Sequence, residues 1–316
     1  MSRREVIAPT AGRPSVAAMT RMRISPEVAD ALAGGRAVVA LESTVLTHGL
    51  PTPDNLALAE DLTRIVTGAG ATPAVIAVLG GEIRIGLTGS DLAELCHTPA
   101  PTKLSTRDLA PAAVKGTTGG TTVAATAHLA ARAGIRVFAT GGIGGVHRGA
   151  AQSWDVSADL DCLARTPIAV VCSGAKSVLD VAATLERLET VGIPVLGYRS
   201  AAFPEFYLAD SGHLVDWVLH TAEEAAETLA AHWALGLGGV LVANPVPAES
   251  AMDPDLHDRA LRSALAAAEG ERGKAVTPVL LEHFHEVTGG ASVATNVALL
   301  ASNAEVAAQI ARALAD

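Results

Sequence analysis

The stretch IAVVCSGAKSVLDVAATLERL, residues 168–188, decides the fold class of this chain. Residues 168–172 are an apolar run typical of a strand that is covered on both faces, and residues 173–175 are a turn of small residues. From residue 177 to residue 188 the apolar positions recur at helical spacing. A buried strand that leads through a short turn into a helix is the repeating unit of α/β proteins.

The same alternation continues along the rest of the chain. Further strand candidates are 37–41, 74–79, 136–140, 194–198 and 239–243, and helical patterns occupy 54–66, 121–133 and 177–190. Unbroken apolar strands joined by helical crossovers imply a largely parallel sheet with helices on both faces. We therefore predict a three-layer α/β/α fold with a largely parallel mixed sheet and a small lobe. Polar connections at 50–55 and 243–258 would cover the site or form that lobe.

Composition narrows the classes of function. The 316 residues carry a net charge of -10, and only 3% of them are aromatic. Such a chain lacks the basic surface and the stacking rings that polymeric nucleic acid requires, so we expect no such partner. No apolar stretch reaches the roughly twenty residues that cross a bilayer, so we expect no membrane partner either. Cys96, Cys162 and Cys172 lack metal-ligand spacing, are interpreted as reduced structural thiols, and favour a cytoplasmic location.

The N-terminal segment differs from the rest of the chain. Residues 1–23 are predicted to be a disordered tail, and residues 24–316 a single domain. The tail is rich in arginine but lacks the apolar core of a signal peptide. A transit peptide, or a start misplaced upstream of Met19 or Met22, remains as an alternative.

Polar and glycine-rich residues follow the predicted strands at their carboxyl ends. In open α/β sheets the ligand crevice lies outside those ends, so these segments are expected to face one site. The segments are 42–44, 80–82, 141–148, 173–176, 199–200 and 244–245.

Lys176 lies where the predicted strand at 168–172 gives way to the following helix. An apolar wall and the positive end of a helix dipole would both disfavour the ammonium form of its side chain. A free amine is a nucleophile that can form a Schiff base with a sugar carbonyl. An ordinary solvated lysine at a helix N-terminus is the alternative.

Glu42 ends the predicted strand at 37–41. A carboxyl group that faces an enclosed crevice tends to have a raised pKa and can hold a proton at neutral pH. Glu42 is therefore the candidate general acid. A structural glutamate that caps the next turn is the alternative.

Two glycine-rich segments are candidates for binding an anion. TGGIGGVHRG, residues 140–149, could bring backbone amides, His147 and Arg148 to a phosphate, although a tight turn that needs glycine would explain it too. GTTGGTTVAAT, residues 116–126, leads into a helix and could bind a phosphate or sugar hydroxyl, with helix capping by Thr121 or Thr122 as the alternative. Neither segment has the spacing of a dinucleotide fingerprint or a P-loop.

The segment WDVSADLD, residues 154–161, places Asp155, Asp159 and Asp161 around Ser157. Carboxylate and hydroxyl oxygens favour a hard ion such as Mg²⁺ or Mn²⁺, usually with several waters. Aspartates that cap a helix at 157–164 would explain the pattern equally well.

Seven ordered motifs make the chain resemble the pseudouridine-5'-phosphate glycosidases from about residue 24 to the C-terminus. They are ALESTVLTHGLP, STRDL, GGTTVAAT, TGGIGGVHRG, DVSADL, VCSGAKSVLD and LVANPVP. Members of that family are lyases that split the carbon–carbon bond between ribose 5-phosphate and uracil. The resemblance implies a small-molecule substrate, bound Mn²⁺ (Mg²⁺ or another divalent ion as alternatives) and a homotrimer.

The same resemblance implies roles for individual residues. Lys176 would be the covalent nucleophile, Glu42 the proton donor, and Asp155 the metal ligand, mostly through water. Residues implied to bind substrate are Lys103, Val123, Ser157, Ala158, Asp159, His147 and Asn296. The chain departs from the family pattern at Gly120, where alanine is expected, and at Trp154, which is bulkier than usual.

Two other functions stay open at this point. The chain could be a different Schiff-base lyase acting on a sugar phosphate, or a non-catalytic relative that binds a ligand. Release of uracil would exclude the first alternative, and metal binding without turnover would indicate the second.

Overall fold

An eleven-stranded, mostly parallel sheet forms the centre of the computed structural model, which describes residues 22–50, 52–267 and 276–316. The strands are β1 (Met22–Ile24), β2 (Val38–Leu41), β3 (Thr72–Leu79), β4 (Glu82–Ile85), β5 (Thr102–Leu104), β6 (Gly119–Thr121), β7 (Val137–Ala139), β8 (Ala169–Cys172), β9 (Val195–Tyr198), β10 (Trp217–Leu219) and β11 (Val240–Ala243). They lie in the order β1-β4-β3-β2-β7-β8-β11-β9-β10, and β6, with β5 beside it, joins at β3.

Helices cover both faces of this sheet. They are α1 (Pro26–Ala33), α2 (Thr44–His48), α3 (Asp54–Gly68), α4 (Gly89–His97), α5 (Leu109–Lys115), α6 (Val123–Ala133), α7 (Ala150–Ser153), α8 (Ala158–Ala164), α9 (Val181–Thr190), α10 (Ala222–Ala234), α11 (Pro254–Ala267), α12 (Val276–Val287) and α13 (Ala291–Ala315). The long helix α13 packs on β2, β7 and β8 together with α3 and α10, while α6 packs on β2, β3 and α8. Helices α11 and α12 pack on each other beside α13.

The predicted fold class is confirmed. All six strand candidates form strands, and the four central ones, β2, β7, β8 and β11, pair in parallel side by side. Every residue of these four strands is buried, which is why they appear in the sequence as unbroken apolar runs. Their carboxyl ends therefore meet at one edge of the sheet.

Four strands, β4 with β1 beside it and β6 with β5 beside it, run antiparallel to the others and have no counterpart in the predicted elements. Strand β4 pairs with β3 on one side, and β6 pairs with Ala77 and Val78 on the other, beyond the point where β2 ends at Leu41. Strand β6 has the sequence GGT and approaches its neighbours closely. A Cβ atom at Gly120 would lie 2.7 Å from the carbonyl oxygen of Ser43, so this close packing favours glycine where the family pattern has alanine.

Most of the predicted tail, residues 1–21, lies outside the described residues. Met22 and Arg23 belong to β1, which pairs in parallel with β4, so the folded part begins before residue 24. The three cysteines are free and buried, as expected for structural thiols. In the described part of the chain, no helix is both long enough and apolar enough to span a membrane.

Candidate active site

Two adjoining cavities open at the carboxyl edge of the central strands. Their walls share four residues, Glu42, Thr44, Lys103 and Lys176, which therefore mark the junction between them. Glu42 follows β2 and Lys176 follows β8, as the strand pattern predicted. Lys103 lies in β5, a strand that the sequence pattern did not predict.

The wider cavity, of about 400 Å³, contains most of the residues that the family resemblance singled out. Its walls include Val123, His147, Asp155, Ser157, Ala158 and Asp159. Polar side chains from the segment after β5, Ser105, Thr106 and Arg107, complete it. Hydroxyls, a guanidinium and the start of helix α6 make this side suited to an anionic group.

The narrower cavity has apolar walls and few polar groups. Val45, Phe206 and Leu300 line it, together with Asn296 of α13 and His48 of α2. The ring of Phe206 lies against the backbone of Gly141 and Gly142, where a Cβ atom would come within 3.1 and 2.7 Å of it respectively. This apolar side, with one carboxamide, suits a neutral planar heterocycle.

Glu42 is almost completely buried, and burial raises the pKa of its carboxyl group. The positive charges of Lys176 and Lys103 and a hydrogen bond donated by the Thr140 hydroxyl lower that pKa, while Asp159 raises it. The net shift is upward. A raised pKa favours the protonated form of the carboxyl group, and this agrees with the predicted role of general acid.

Lys176 lies on an irregular turn rather than directly at a helix start. Gly174 adopts a left-handed conformation (φ 74°), and a Cβ atom there would lie 1.9 Å from the carbonyl oxygen of Pro204, so the turn requires glycine. Helix α9 begins only at Val181, with Asp180 as its N-cap. The predicted helix start at residue 177 is therefore wrong, and so is the argument from a helix dipole at Lys176.

Several glycines of residues 140–149 make room for neighbouring side chains. A Cβ atom at Gly144 would lie 2.7 Å from the Cβ of Ser157, and one at Gly145 would lie 2.6 Å from the Cγ2 of Thr184. Of this segment, Gly144 and His147 reach the wider cavity. Burial lowers the pKa of His147, as do Lys103 and Lys176, while the nearby Asp155 raises it.

Residues 116–126 are mostly structural. The Thr121 hydroxyl is buried and donates to the carbonyl oxygen of Ile76 at 2.7 Å, and Thr122 caps α6 by accepting from the Ala125 amide. The capping interpretation is thus confirmed for Thr122. Only Thr122 and Val123 reach the wider cavity, so binding of an anion here would depend on the first turn of α6.

The three aspartates of residues 154–161 do not form one cluster. Asp159 accepts hydrogen bonds from the amides of Ala124 (2.9 Å) and Gly144 (2.8 Å) and so joins α6 to the glycine-rich segment. Asp161 points away and pairs with Arg187 at 3.0 Å. Asp155 alone combines partial exposure, a position in the cavity wall and a histidine neighbour, since its Oδ2 is 4.0 Å from Nδ1 of His147.

This donor set limits the kind of metal site that the chain can form. Within the described ranges, no group of three or more His, Cys, Asp or Glu side chains is placed to hold an ion. A cavity of about 400 Å³ with one available carboxylate fits a hydrated ion held by Asp155, and it does not fit a cage made of protein ligands.

Several residues of the site gave no sequence signal. Thr140 bonds to Glu42, and the buried Asn303 of α13 donates to the carbonyl oxygen of Thr140 (2.8 Å) and to the hydroxyl of Ser173 (3.1 Å). Asn303 also accepts from the amide nitrogen of Asn244 at 2.9 Å. It therefore connects the ends of β7, β8 and β11 beneath the cavities. Phe206 was missed as well, because it follows no predicted strand directly.

Comparison with known proteins identifies the family. The model of the family described as indigoidine synthase A like protein matches residues 27–313. The chain belongs to this family. The motif-based resemblance is thereby confirmed, since several relatives carry the name that the motifs suggested.

The relatives match over nearly the whole chain. A protein of Salinispora tropica named pseudouridine-5'-phosphate glycosidase is 56% identical over 298 residues, which cover 93% of this chain and 92% of the relative. Proteins of the same name from Streptomyces griseus and Symbiobacterium thermophilum are 54% and 55% identical, over 93% and 92% of this chain and 92% and 96% of their own lengths.

Two solved structures share the fold. One is the prealnumycin C-glycosynthase AlnA in complex with ribulose 5-phosphate, at a TM-score of 0.86 and 39% identity, covering 94% of this chain and 97% of AlnA. The other is an indigoidine synthase A-like protein of Thermotoga maritima, also at 0.86, with 35% identity over 94% of this chain and 98% of that one.

Proposed function

We propose that this chain cleaves, reversibly, the C-glycosidic bond of pseudouridine 5'-phosphate to give uracil and ribose 5-phosphate. The observation that carries the proposal is the meeting of Glu42, Lys103 and Lys176 at the junction of two cavities of different character. The relatives named pseudouridine-5'-phosphate glycosidase, at more than 50% identity over nearly the full chain, support the choice of substrate.

The two cavities match the two ends of this substrate. Uracil is planar and neutral and would occupy the narrower side, with the Asn296 carboxamide available to its polar edge. The phosphate would occupy the wider side, near Lys103, Ser157 and the first turn of α6 at Val123. C1' of the ribose would then lie at the junction, beside Lys176 and Glu42.

The leaving group explains why a lysine is needed. An ordinary N-glycosidase needs an acid and a water, because a departing nitrogen can carry charge, whereas a departing carbon cannot. In the proposed path Glu42 protonates the ring oxygen as its bond to C1' breaks, and the amine of Lys176 bonds to C1'. The uracil carbon then takes up a proton.

Release of uracil follows from the electron pair of the lysine nitrogen. As the bond between C1' and the uracil carbon breaks, this pair forms an iminium between Lys176 and the sugar. Water then hydrolyses the iminium and releases ribose 5-phosphate and the free amine. Paired carboxylates, as in ordinary glycosidases, cannot supply such an electron pair.

A divalent ion, Mn²⁺ or alternatively Mg²⁺, is part of the proposal. Asp155 would hold it, mostly through water, with His147 beside that carboxylate. When bound, such an ion would neutralise and orient the phosphate. We further propose that the protein is a homotrimer, as the family resemblance implies, and that it is cytoplasmic, as its reduced cysteines favour.

A second candidate is formation of a C-glycosidic bond to an acceptor other than uracil. The observation that favours it is the likeness to AlnA, which is named a C-glycosynthase and was solved with ribulose 5-phosphate. The lysine chemistry would be the same in both cases, because an imine between the sugar and Lys176 serves cleavage and formation alike.

Release of uracil should be measured side by side from pseudouridine 5'-phosphate, pseudouridine and uridine 5'-phosphate in the presence of Mn²⁺. We expect rapid release from the first alone, because the second lacks the phosphate and the third has uracil attached through nitrogen. Comparable rates from uridine 5'-phosphate would make the protein an ordinary N-glycosidase. No uracil release, combined with labelling of Lys176 by a sugar phosphate, would favour the second candidate.

A further inference from the structure

Glu205 lies where three segments that form the site meet. Its backbone carbonyl accepts from the hydroxyl of Ser177, the neighbour of Lys176, at 2.8 Å. The next residue along the chain, Phe206, lines the narrower cavity and donates its amide to the carbonyl oxygen of Ser173 at 2.9 Å. The side chain of Glu205, which is only 14% exposed, lies 3.7 Å from the guanidinium of Arg148.

Arg148 belongs to a projecting segment, residues 146–156, that we call the flap. The flap is closed at its base by the pairing of Val146 with Val156 and by a hydrogen bond from the His147 amide to the Asp155 carbonyl oxygen at 3.0 Å. Beyond that base it consists of the single helical turn α7, which contributes no buried side chain. The ion pair with Glu205 therefore connects this segment to the wall formed by Phe206.

The flap carries two residues that line the proposed site. Its base holds His147 and Asp155, and both line the wider cavity beside Lys103 and Lys176. Glu205 and Arg148 line neither cavity, so the pair does not touch a ligand held there. Any effect of the pair on the reaction must act through the residues that it positions.

We propose that the ion pair between Glu205 and Arg148 is a positioning element for the reaction, which holds the flap so that His147 and Asp155 face the sugar phosphate. The inference rests on the proposed function for the identity of the substrate. Burial of a carboxylate carries a desolvation cost that a neutral side chain would avoid, and this supports a role for the charge of Glu205. Loss of the pair would leave Glu42 and Lys176 in place but loosen the phosphate side of the site.

The test uses Glu205→Gln, which keeps side-chain volume while removing charge, Arg148→Gln, which removes the guanidinium and shortens the side chain, and the double variant. We expect each single variant to raise KM for pseudouridine 5'-phosphate by about tenfold while kcat stays within about threefold. The double variant should be no worse than either single variant, because both remove the same interaction. Asp61→Asn is the matched control, since it breaks a 2.7 Å ion pair with Arg64 on α3 outside both cavities.

Hydrogen exchange of residues 146–156 gives a second readout that does not depend on turnover. Exchange should become faster in both single variants than in the wild-type protein. The control, Asp61→Asn, should leave exchange of these residues unchanged. A fall in kcat with unchanged KM, additive effects in the double variant, or unchanged exchange would each overturn the inference. If the wild-type protein releases no uracil, the proposed function fails by itself. The exchange measurement, made with ribose 5-phosphate added, then decides whether the pair positions the flap.

Discussion

The hydroxyl of Thr140 donates a hydrogen bond to the carboxylate of Glu42, and both side chains are buried. Thr140 follows β7 and Glu42 follows β2, so the contact joins neighbouring strand ends. The bond favours the charged form of Glu42, whereas burial favours the protonated form and has the larger effect. Burial therefore opposes the charge of Lys176 and the Thr140 hydrogen bond in setting the proton affinity of the proposed acid, and a single hydroxyl controls the last of these effects.

Thr140→Val is expected to shift the pH dependence of the reaction. Valine keeps the shape of threonine but cannot donate a hydrogen bond, so the pKa of Glu42 should rise further. If protonated Glu42 is the acid, the alkaline limb of the kcat profile moves to higher pH. The control is Thr126→Val, which alters a buried threonine that bonds to Thr121 and not to Glu42. An alkaline limb that does not move would argue against Glu42 as the group that titrates.

Lys176 is expected to be the residue that carries the sugar. Borohydride added during turnover should attach a ribose phosphate mass to the peptide that contains Lys176, and Lys176→Ala should remove the label. Lys176→Arg should be equally inactive, because a guanidinium stays protonated and cannot attack. Lys115→Ala changes an exposed lysine at the end of α5 and should retain both the label and the activity. A label on Lys103 or Lys115 in the wild-type protein would refute the assignment.

The sequence predicted the parts of the fold that depend on continuous apolar runs. Strands β2, β7, β8 and β11 are buried on both faces, so every position in them carries an apolar or small residue. Because parallel strands present their carboxyl ends at one edge, Glu42 and Lys176 could be assigned to one site although 134 residues separate their positions. The three-residue strand β6, with the sequence GGT, carries no such pattern and was missed.

The errors near Lys176 have a tertiary origin. The hydroxyl of Ser177 donates to the carbonyl oxygen of Glu205, and the Leu179 amide donates to the Lys176 carbonyl oxygen, which holds this stretch in an irregular turn. Val178 and Leu179 in this stretch are buried although they lie in a turn, so their apolar side chains continue the helical pattern of the following residues in the sequence. Asn303 was missed for a similar reason, since its partners lie 59 to 163 residues away along the chain.

Removal of one aspartate should separate metal binding from folding. Asp155→Ala is expected to abolish stimulation by Mn²⁺ and to weaken Mn²⁺ binding by at least about tenfold, because a mostly hydrated ion has few other protein ligands. Circular dichroism should show an unchanged fold. Asp161→Ala should leave the metal titration unchanged, since Asp161 pairs with Arg187 instead. Equal loss in both variants would mean that the effect is not specific to Asp155.

Asn303 is expected to couple the strand ends beneath the site. Asn303→Ala leaves the Thr140 carbonyl and the Ser173 hydroxyl without their partner, and such a loss typically costs about 1 to 3 kcal/mol for each buried polar group. The free energy of unfolding should fall accordingly in a denaturant titration. Asn303→Asp keeps the acceptor for Asn244 but loses the donor to Thr140, and it should also be destabilised. A stability equal to that of the wild-type protein would show that water replaces these bonds.

Glu205 should make stability depend on pH between about 4.5 and 7. Burial raises the pKa of Glu205 to about 7. Arg148 on the flap lowers that pKa, and Asp258 on α11 raises it. Asp258 also lies close to a histidine, since its Oδ1 is 3.3 Å from Nδ1 of His257. Since the pKa in the folded protein lies above the ordinary value of 4.5 for a glutamate, the contribution of Glu205 to stability is fully present below pH 4.5 and is lost as pH rises through 7.

Glu205→Gln does not titrate and should escape this loss. Relative to the wild-type protein, the variant should therefore gain stability as pH rises from 5 to 8. We expect a gain on the order of 1 to 2 kcal/mol, because part of the side chain remains in contact with water. Unfolding midpoints measured in denaturant across this range test the prediction, with Asp61→Asn as the control. Parallel stability curves for wild type and Glu205→Gln would mean that the carboxylate is already charged throughout the range. The KM test of the ion pair should be made at one pH above 7, where the carboxylate of Glu205 is charged, so that it does not depend on this outcome.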